Sequence, residues 1–194
     1  MPKKPKKESV TPVGPISVVY QMKITLKEVK PPIWRRIQVQ GDTTLKAFHR
    51  ILQTVMGWTD SHLHEFIVKG VSYGDSEDED ALDERKYRLN KLNLQEKEKF
   101  FYVYDFGDNW EHIILVEKIL PNDSTVKYPF CLTGKRSGPI EDCGGPWGYM
   151  ELLDVLNDPN DPEYDERIEW IGDDFDSELF DIEKINRKLK SIRK

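Results

Sequence analysis

Ile16, Val18, Tyr20, Met22, Ile24 and Leu26 are apolar or aromatic, and Ser17, Gln21, Lys23, Thr25 and Lys27 are interleaved with them. Alternation with a period of two over eleven residues marks a half-buried β-strand, because successive side chains leave a strand on opposite faces. A strand of this kind needs a neighbour for its backbone and a layer for its apolar face. Pro31-Pro32 ends the run, and Ile33 to Val39 reads as the second strand.

The period then changes. Gly41-Asp42-Thr43-Thr44 is a turn with helix N-cap residues. Leu45, Phe48, Leu52 and Val55 follow along one face of a helix, and Gly57 stands where a C-cap glycine belongs. His62 to Lys69 alternates again, with His62, His64, Phe66 and Val68 on one side. Leu89 to Leu94 fits a short helix or turn. Lys99 to Asp105 and Trp110 to Leu120 are aromatic and β-branched runs. Between them, Gly107-Asp108 suits a two-residue type II′ hairpin turn. Residues 121–147, rich in Pro and Gly, read as loop.

Helical signals close the chain. Leu152, Leu153 and Leu156 mark one helix, and Asp161-Pro162 opens a second as cap and N1 proline. Asp181 caps a third with the apolar face Ile182, Ile185, Leu189 and Ile192. The fold class is therefore α+β: a mostly antiparallel sheet with one early helix and two to three C-terminal helices. Residues 1–15, with four Pro and four Lys, are expected to be a disordered basic tail, and 16–194 a single α+β domain.

Composition narrows the function classes. Hydrophobic residues make up 38% of the 194, enough for a core, and no run approaches the roughly 18 apolar residues of a membrane helix. Met-Pro-Lys-Lys-Pro-Lys-Lys is followed by no apolar stretch, so the expectation is a cytoplasmic protein without membrane contact. The net charge of −6 lacks the overall basic footprint of a nucleic-acid-binding domain. Charge is uneven, however: Asp75 to Glu84 holds seven acids in ten positions, and the last eleven residues carry six Lys or Arg. Cys131 and Cys143 are expected as reduced thiols.

If Gly107 and Asp108 are the two loop residues, Asp105 lies opposite Trp110, and Asp105 and His112 become diagonal neighbours on one face. Such a pair orients an imidazole, holds a metal or supplies a base, or is simply structural. A loop of another length removes it. His62 and His64 on one side of a strand form a workable chelate, with Asp105, Asp108 and His112 as further candidate ligands; alternation produces the same spacing by chance. Asp105, His112, Glu141 and Asp142 are the candidate acids and bases. The acids beside Cys143 argue against a thiolate nucleophile. Gly144-Gly145 suggests a close backbone approach, to a ligand or to another loop. Neither a phosphate loop nor an EF-hand is present. Trp34-Arg35-Arg36 combines a stacking ring with two cations, as in single-strand nucleic-acid binding or in cation–π packing on a strand. Trp34, Arg35, Arg36, Trp110 and Tyr149 are the candidate binding residues.

Taken together, these strings resemble the plasmid pRiA4b ORF-3-like family, also labelled insertion-element passenger proteins and, loosely, resolvase-like. The resemblance rests on Pro31-Pro32-Ile33-Trp34-Arg35-Arg36, Gly57-Trp58 with His62-Leu63-His64-Glu65-Phe66, Tyr104 to His112, Glu141-Asp142-Cys143-Gly144-Gly145 and Gly148-Tyr149. Ile140 departs from it, since the family often has a second Pro there. The resemblance implies a single α+β domain in a plasmid or mobile-element context and no established reaction. No serine-recombinase pattern supports the resolvase label. The function expected is a binding or adaptor domain with a protein or nucleic-acid partner and no cofactor. The alternatives are a metal-dependent hydrolase, with phosphodiesters as one substrate class, using an Asp/His cluster with a divalent metal, and a single-stranded nucleic-acid-binding protein. Whether the chain is an enzyme stays open at the level of sequence.

Overall fold

The computed structural model describes residues 18–75, 80–172 and 174–192. The expected tail at 1–15 and part of the acidic run lie outside the described residues.

Eight strands form one sheet: β1 (Val18–Leu26), β2 (Trp34–Gln40), β3 (His64–Val68), β4 (Val71–Gly74), β5 (Leu82–Asp83), β6 (Lys99–Tyr104), β7 (Trp110–Pro121) and β8 (Phe130–Lys135). Their order is β5-β4-β3-β6-β7-β1-β2-β8, antiparallel throughout except for the parallel pair β4 and β5. Four α-helices accompany it: α1 (Leu45–Met56), α2 (Gly145–Leu156), α3 (Tyr164–Ile171) and α4 (Ile182–Leu189). The fold is α+β.

Helices α1, α2 and α4 bury apolar residues against one face. Phe48, Ile51, Leu52 and Val55 of α1, Leu152 of α2 and Leu189 of α4 share a core with Met22, Ile24, Ile37, Ile114 and Val116. The opposite face stays open. Ile67, Phe101, Ile113, Thr25 and Trp34 pair in succession across five strands, none of them fully buried. Helix α1 forms where its local signals place it. The Thr44 hydroxyl accepts from Ala47 N–H at 3.2 Å, and Gly57 ends the helix at φ 93°.

Three local expectations are corrected. Residues 121–147 are not all loop, because Phe130–Lys135 pairs with β2 as an edge strand. Its β-branched and apolar centre is short and flanked by Pro and Gly, so only the neighbouring strand reveals it. The β6–β7 connection is not a two-residue turn. Tyr104, not Asp105, pairs with Trp110, which leaves a five-residue loop at 105–109. Asp105 and Asn109 hold positive φ there, and Asp105 Oδ1 accepts from Gly107 N–H at 3.0 Å and Asp108 N–H at 3.3 Å. This carboxylate-stabilised turn outcompetes the glycine turn. Finally, α3 begins at Tyr164, because Asp161 accepts from Glu163 N–H at 2.8 Å in a turn ahead of the helix.

Candidate functional site

The longer hairpin loop changes the parity of everything beyond it, so Asp105 and His112 do not pair. His112 lies opposite Tyr102, fully buried on the core face. Its Nδ1 donates to the Tyr102 carbonyl at 3.3 Å, and Nε2 has no partner among the described residues. Burial pushes its pKa down to about 4. His62 and His64 meet different partners. His64 Nε2 meets the buried Glu84 carboxylate at 2.9 Å, whereas His62, ahead of β3, lies 3.1 Å from Asp142 and 3.6 Å from Asp105.

His64 belongs instead to a group that includes an unanticipated residue, His49. The two imidazoles stack with centroids 3.5 Å apart and planes at 7°. His49 contacts Asp60 through Nε2 at 2.6 Å and the Tyr102 hydroxyl through Nδ1 at 2.8 Å. Burial, and then the charge of His64, lowers its pKa to about 4. Burial raises the Glu84 carboxyl, but His64, Lys46 at 3.2 Å and His49 together outweigh it and hold the group below its ordinary value. A signal for His49 was available: it lies four residues after Leu45 and three before Leu52, on the apolar stripe of α1.

Glu141 is a clamp rather than a free base. It accepts from the Tyr104 hydroxyl at 2.5 Å, and from Thr59 N–H and Oγ1 at 3.0 and 2.7 Å. Burial, reinforced by Glu141, raises the Tyr104 phenol well above its ordinary value. Asp142 is largely exposed, with φ 61°. Asp108 Oδ2 is buried without a hydrogen-bond partner among the described residues. Both cysteines are free thiols, and burial together with Asp108 pushes Cys143 up to about 12.

A cleft of about 470 Å³ opens beside Glu141, between the end of α1, the 137–141 loop and the segment leading into α4. Its walls include Val55, Trp58, Ile140, Phe175, Leu179 and Phe180. Arg35 lines it while being only 2% exposed. Its guanidinium donates from Nε to Val55 O at 2.7 Å and from Nη1 to Trp34 O and Lys135 O, both at 2.9 Å. It thereby caps the carboxyl end of α1. Phe180 packs 5.1 Å from the guanidinium carbon. Burial lowers its pKa to about 10, so it remains a cation at neutral pH.

Residues 18–184 match the family described as plasmid pRiA4b ORF-3-like protein. The chain belongs to this family. It is 36% identical over 182 residues to the uncharacterized protein y4hQ of Sinorhizobium fredii (strain NBRC 101917 / NGR234), covering 91% of this chain and 93% of that one. It is also similar to a crystal structure of a protein of unknown function, MM3350, from Methanosarcina mazei Go1. There the TM-score is 0.81 at 43% identity, over 87% of this chain and 98% of that one.

In this pRiA4b ORF-3-like chain, the strings that carry the family resemblance interlock. Trp58 stacks on Tyr104 at 4.9 Å and meets His112 edge-on at 5.3 Å, and Trp110 meets Tyr149 edge-on at 6.4 Å. A Cβ on Gly145 would stand 2.2 Å from the Asp108 carbonyl oxygen, so the glycine pair serves the approach of one loop to another. Trp110 and Tyr149 are fully buried. Trp34 and Arg36 face the open side of the sheet, with Lys23 4.9 Å and Arg36 5.4 Å from the Trp34 ring, while strand alternation turns Arg35 to the other side. A nucleic-acid surface using all three residues has no common face to form on. Among the described residues no helix is long and apolar enough to cross a membrane.

Proposed function

We propose that this chain is a binding domain that accepts an anionic group with an apolar body in the cleft beside Arg35. The observation that supports this reading is an uncompensated buried cation. Of the two buried arginines, Arg136 holds Glu178 at 2.5 Å, whereas Arg35 has no carboxylate within 4.0 Å among the described residues. The negative end of α1 offsets only part of that charge. Nη2 makes no hydrogen bond among the described residues, which leaves a donor for a ligand oxygen.

Lys184 and Lys188 at the mouth add positive charge, and neither makes an ion pair among the described residues. The acids Glu141, Asp174, Asp176 and Asp181 also line the cleft. Glu141 is held by Tyr104 and Thr59, Asp176 and Asp181 each have an oxygen engaged by a backbone N–H at 2.8 Å, and none of the four lies within 4.0 Å of Arg35. The cleft volume falls in the range of roughly 300–1,000 Å³ usual for small-ligand sites. The shared chemistry is a carboxylate or phosphate on an apolar or aromatic body, free or at the carboxyl terminus of a protein.

Calorimetric titration of the full chain with 3-phenylpropionate, phenyl phosphate and a hydrophobic pentapeptide, with free or amidated terminus, tests the reading. The free-acid probes are expected to bind and to move the indole N–H resonance of Trp58, which donates to Pro139 O at 2.9 Å at the cleft wall. Tighter binding of the free-acid peptide identifies a protein terminus as the source. Leu179→Asp, at a half-exposed position, is expected to weaken binding at least about tenfold without unfolding. No heat from any probe up to millimolar concentration, or binding undiminished in Leu179→Asp, overturns it.

A further inference from the structure

We infer that His62, Asp105 and Asp142 form a binding site for a divalent transition-metal ion, outside the cleft and independent of its ligand. One donor atom from each lies within 4.8 Å of the other two. His62 Nε2 stands 3.1 Å from Asp142 Oδ1 and 3.6 Å from Asp105 Oδ2. Donors held at about 2.0–2.1 Å in a tetrahedral set stand about 3.4 Å apart, so both separations already match a shared ion.

Hydrogen bonding does not account for this arrangement. His62 Nε2 is sealed from solvent yet makes no hydrogen bond among the described residues, although two carboxylate oxygens are close. Asp105 is fixed in the orientation an ion needs. Its Oδ1 takes the Gly107 and Asp108 N–H groups, which turns Oδ2 toward His62. Asp105 N–H donates to Leu63 O at 2.8 Å, tying the hairpin loop to the segment that carries His62. The imidazole rests edge-on against the Tyr104 ring at 5.8 Å. Asp142 is 70% exposed and closes the set from the solvent side, which provides the entry path.

One imidazole nitrogen with two carboxylate oxygens favours Zn²⁺ or Mn²⁺ over Mg²⁺ or Ca²⁺, which prefer oxygen alone. Three protein donors leave at least one position for water. The other imidazole–carboxylate group, His49, Asp60 and His64, is a poorer candidate. Both nitrogens of His49 have partners, and His64 already holds Glu84.

Calorimetry and thermal unfolding of the full chain, stripped with EDTA and titrated with ZnCl₂ or MnCl₂, decide the matter. The expected result is one ion bound per chain and a rise in Tm. Asp142→Asn and His62→Ala should each weaken binding at least about tenfold, whereas Asp60→Asn leaves it unchanged. Bound Mn²⁺ should broaden the His62 imidazole resonances before those of His64. Leu179→Asp should keep ion binding, which separates this site from the cleft. The assignment is overturned by the absence of heat and of any Tm rise at millimolar ion, or by equal affinity in wild type, Asp142→Asn and His62→Ala.

Discussion

His112 is a neutral imidazole enclosed by Trp58, Tyr102 and the core, with one nitrogen satisfied by a carbonyl and the other by nothing among the described residues. Protonating it in place would put a cation there without a partner, and Arg35 nearby lowers its pKa further after burial has done most of the work. The folded pKa of about 4 lies below the ordinary 6.5, so between these values the unfolded chain binds the extra proton. Stability supplied by His112 is therefore full above about pH 6.5 and is lost as pH falls toward 4. At pH 5 the loss amounts to about 2 kcal/mol. Urea unfolding at pH 7 and pH 5 should show this drop together with a similar one from His49, whose pKa also falls to about 4, so His112→Gln should remove about half of the pH dependence; an unchanged slope in the variant would contradict the assignment. A lone histidine in an alternating strand gave notice of burial, since Trp110, Ile114 and Val116 share its parity. Its supposed partner did not survive, because the length of a loop is set by competing turn chemistries that differ by little energy.

At the level of elements, the end of α1 shows how local and distant requirements divide. Gly57 is needed for conformation alone: its φ is 93° and a Cβ would meet nothing within 4 Å. Gly138 is needed for space, since a Cβ there would lie 1.9 Å from the Met56 carbonyl oxygen. Gly57→Ala should cost about 1 kcal/mol, the penalty of a left-handed alanine. Gly138→Ala should cost about 3 kcal/mol or more, because backbone must move against backbone. Equal shifts in the urea midpoint for the two variants would refute the distinction. The helix itself was readable from Thr44, its stripe and Gly57, all within one segment. Neither the 137–141 loop pressed against its last turn nor Arg35 on the Val55 carbonyl was readable, because those contacts join residues far apart in the chain. Strand β8 escaped for the same reason.

Across the whole molecule, the sheet has two edges and the chain covers one of them with a helix. Asn186 of α4 donates to Cys131 O at 2.9 Å and accepts from Cys131 N–H at 2.8 Å, so a side-chain amide replaces a further strand along β8. This bond pair fixes α4, whose Leu189 completes the core and whose lysines flank the cleft. Asn186→Ala should destabilise the chain by about 2 kcal/mol and speed exchange of the Cys131 amide, measured by hydrogen–deuterium exchange. Retained protection of that amide would show the pair to be dispensable. The α+β class, the buried faces of β1, β2, β7, α1 and α4, and the family were legible in the sequence alone. Those follow from periodicity and from motifs that sit within a few residues of one another. The packing of distant segments was needed to place Arg35 in the cleft with no carboxylate partner among the described residues, to join His49 to His64, and to bring His62 to Asp105 and Asp142. Each depends on loop length and strand order, and one residue of slip in a strand carries a side chain to the opposite face.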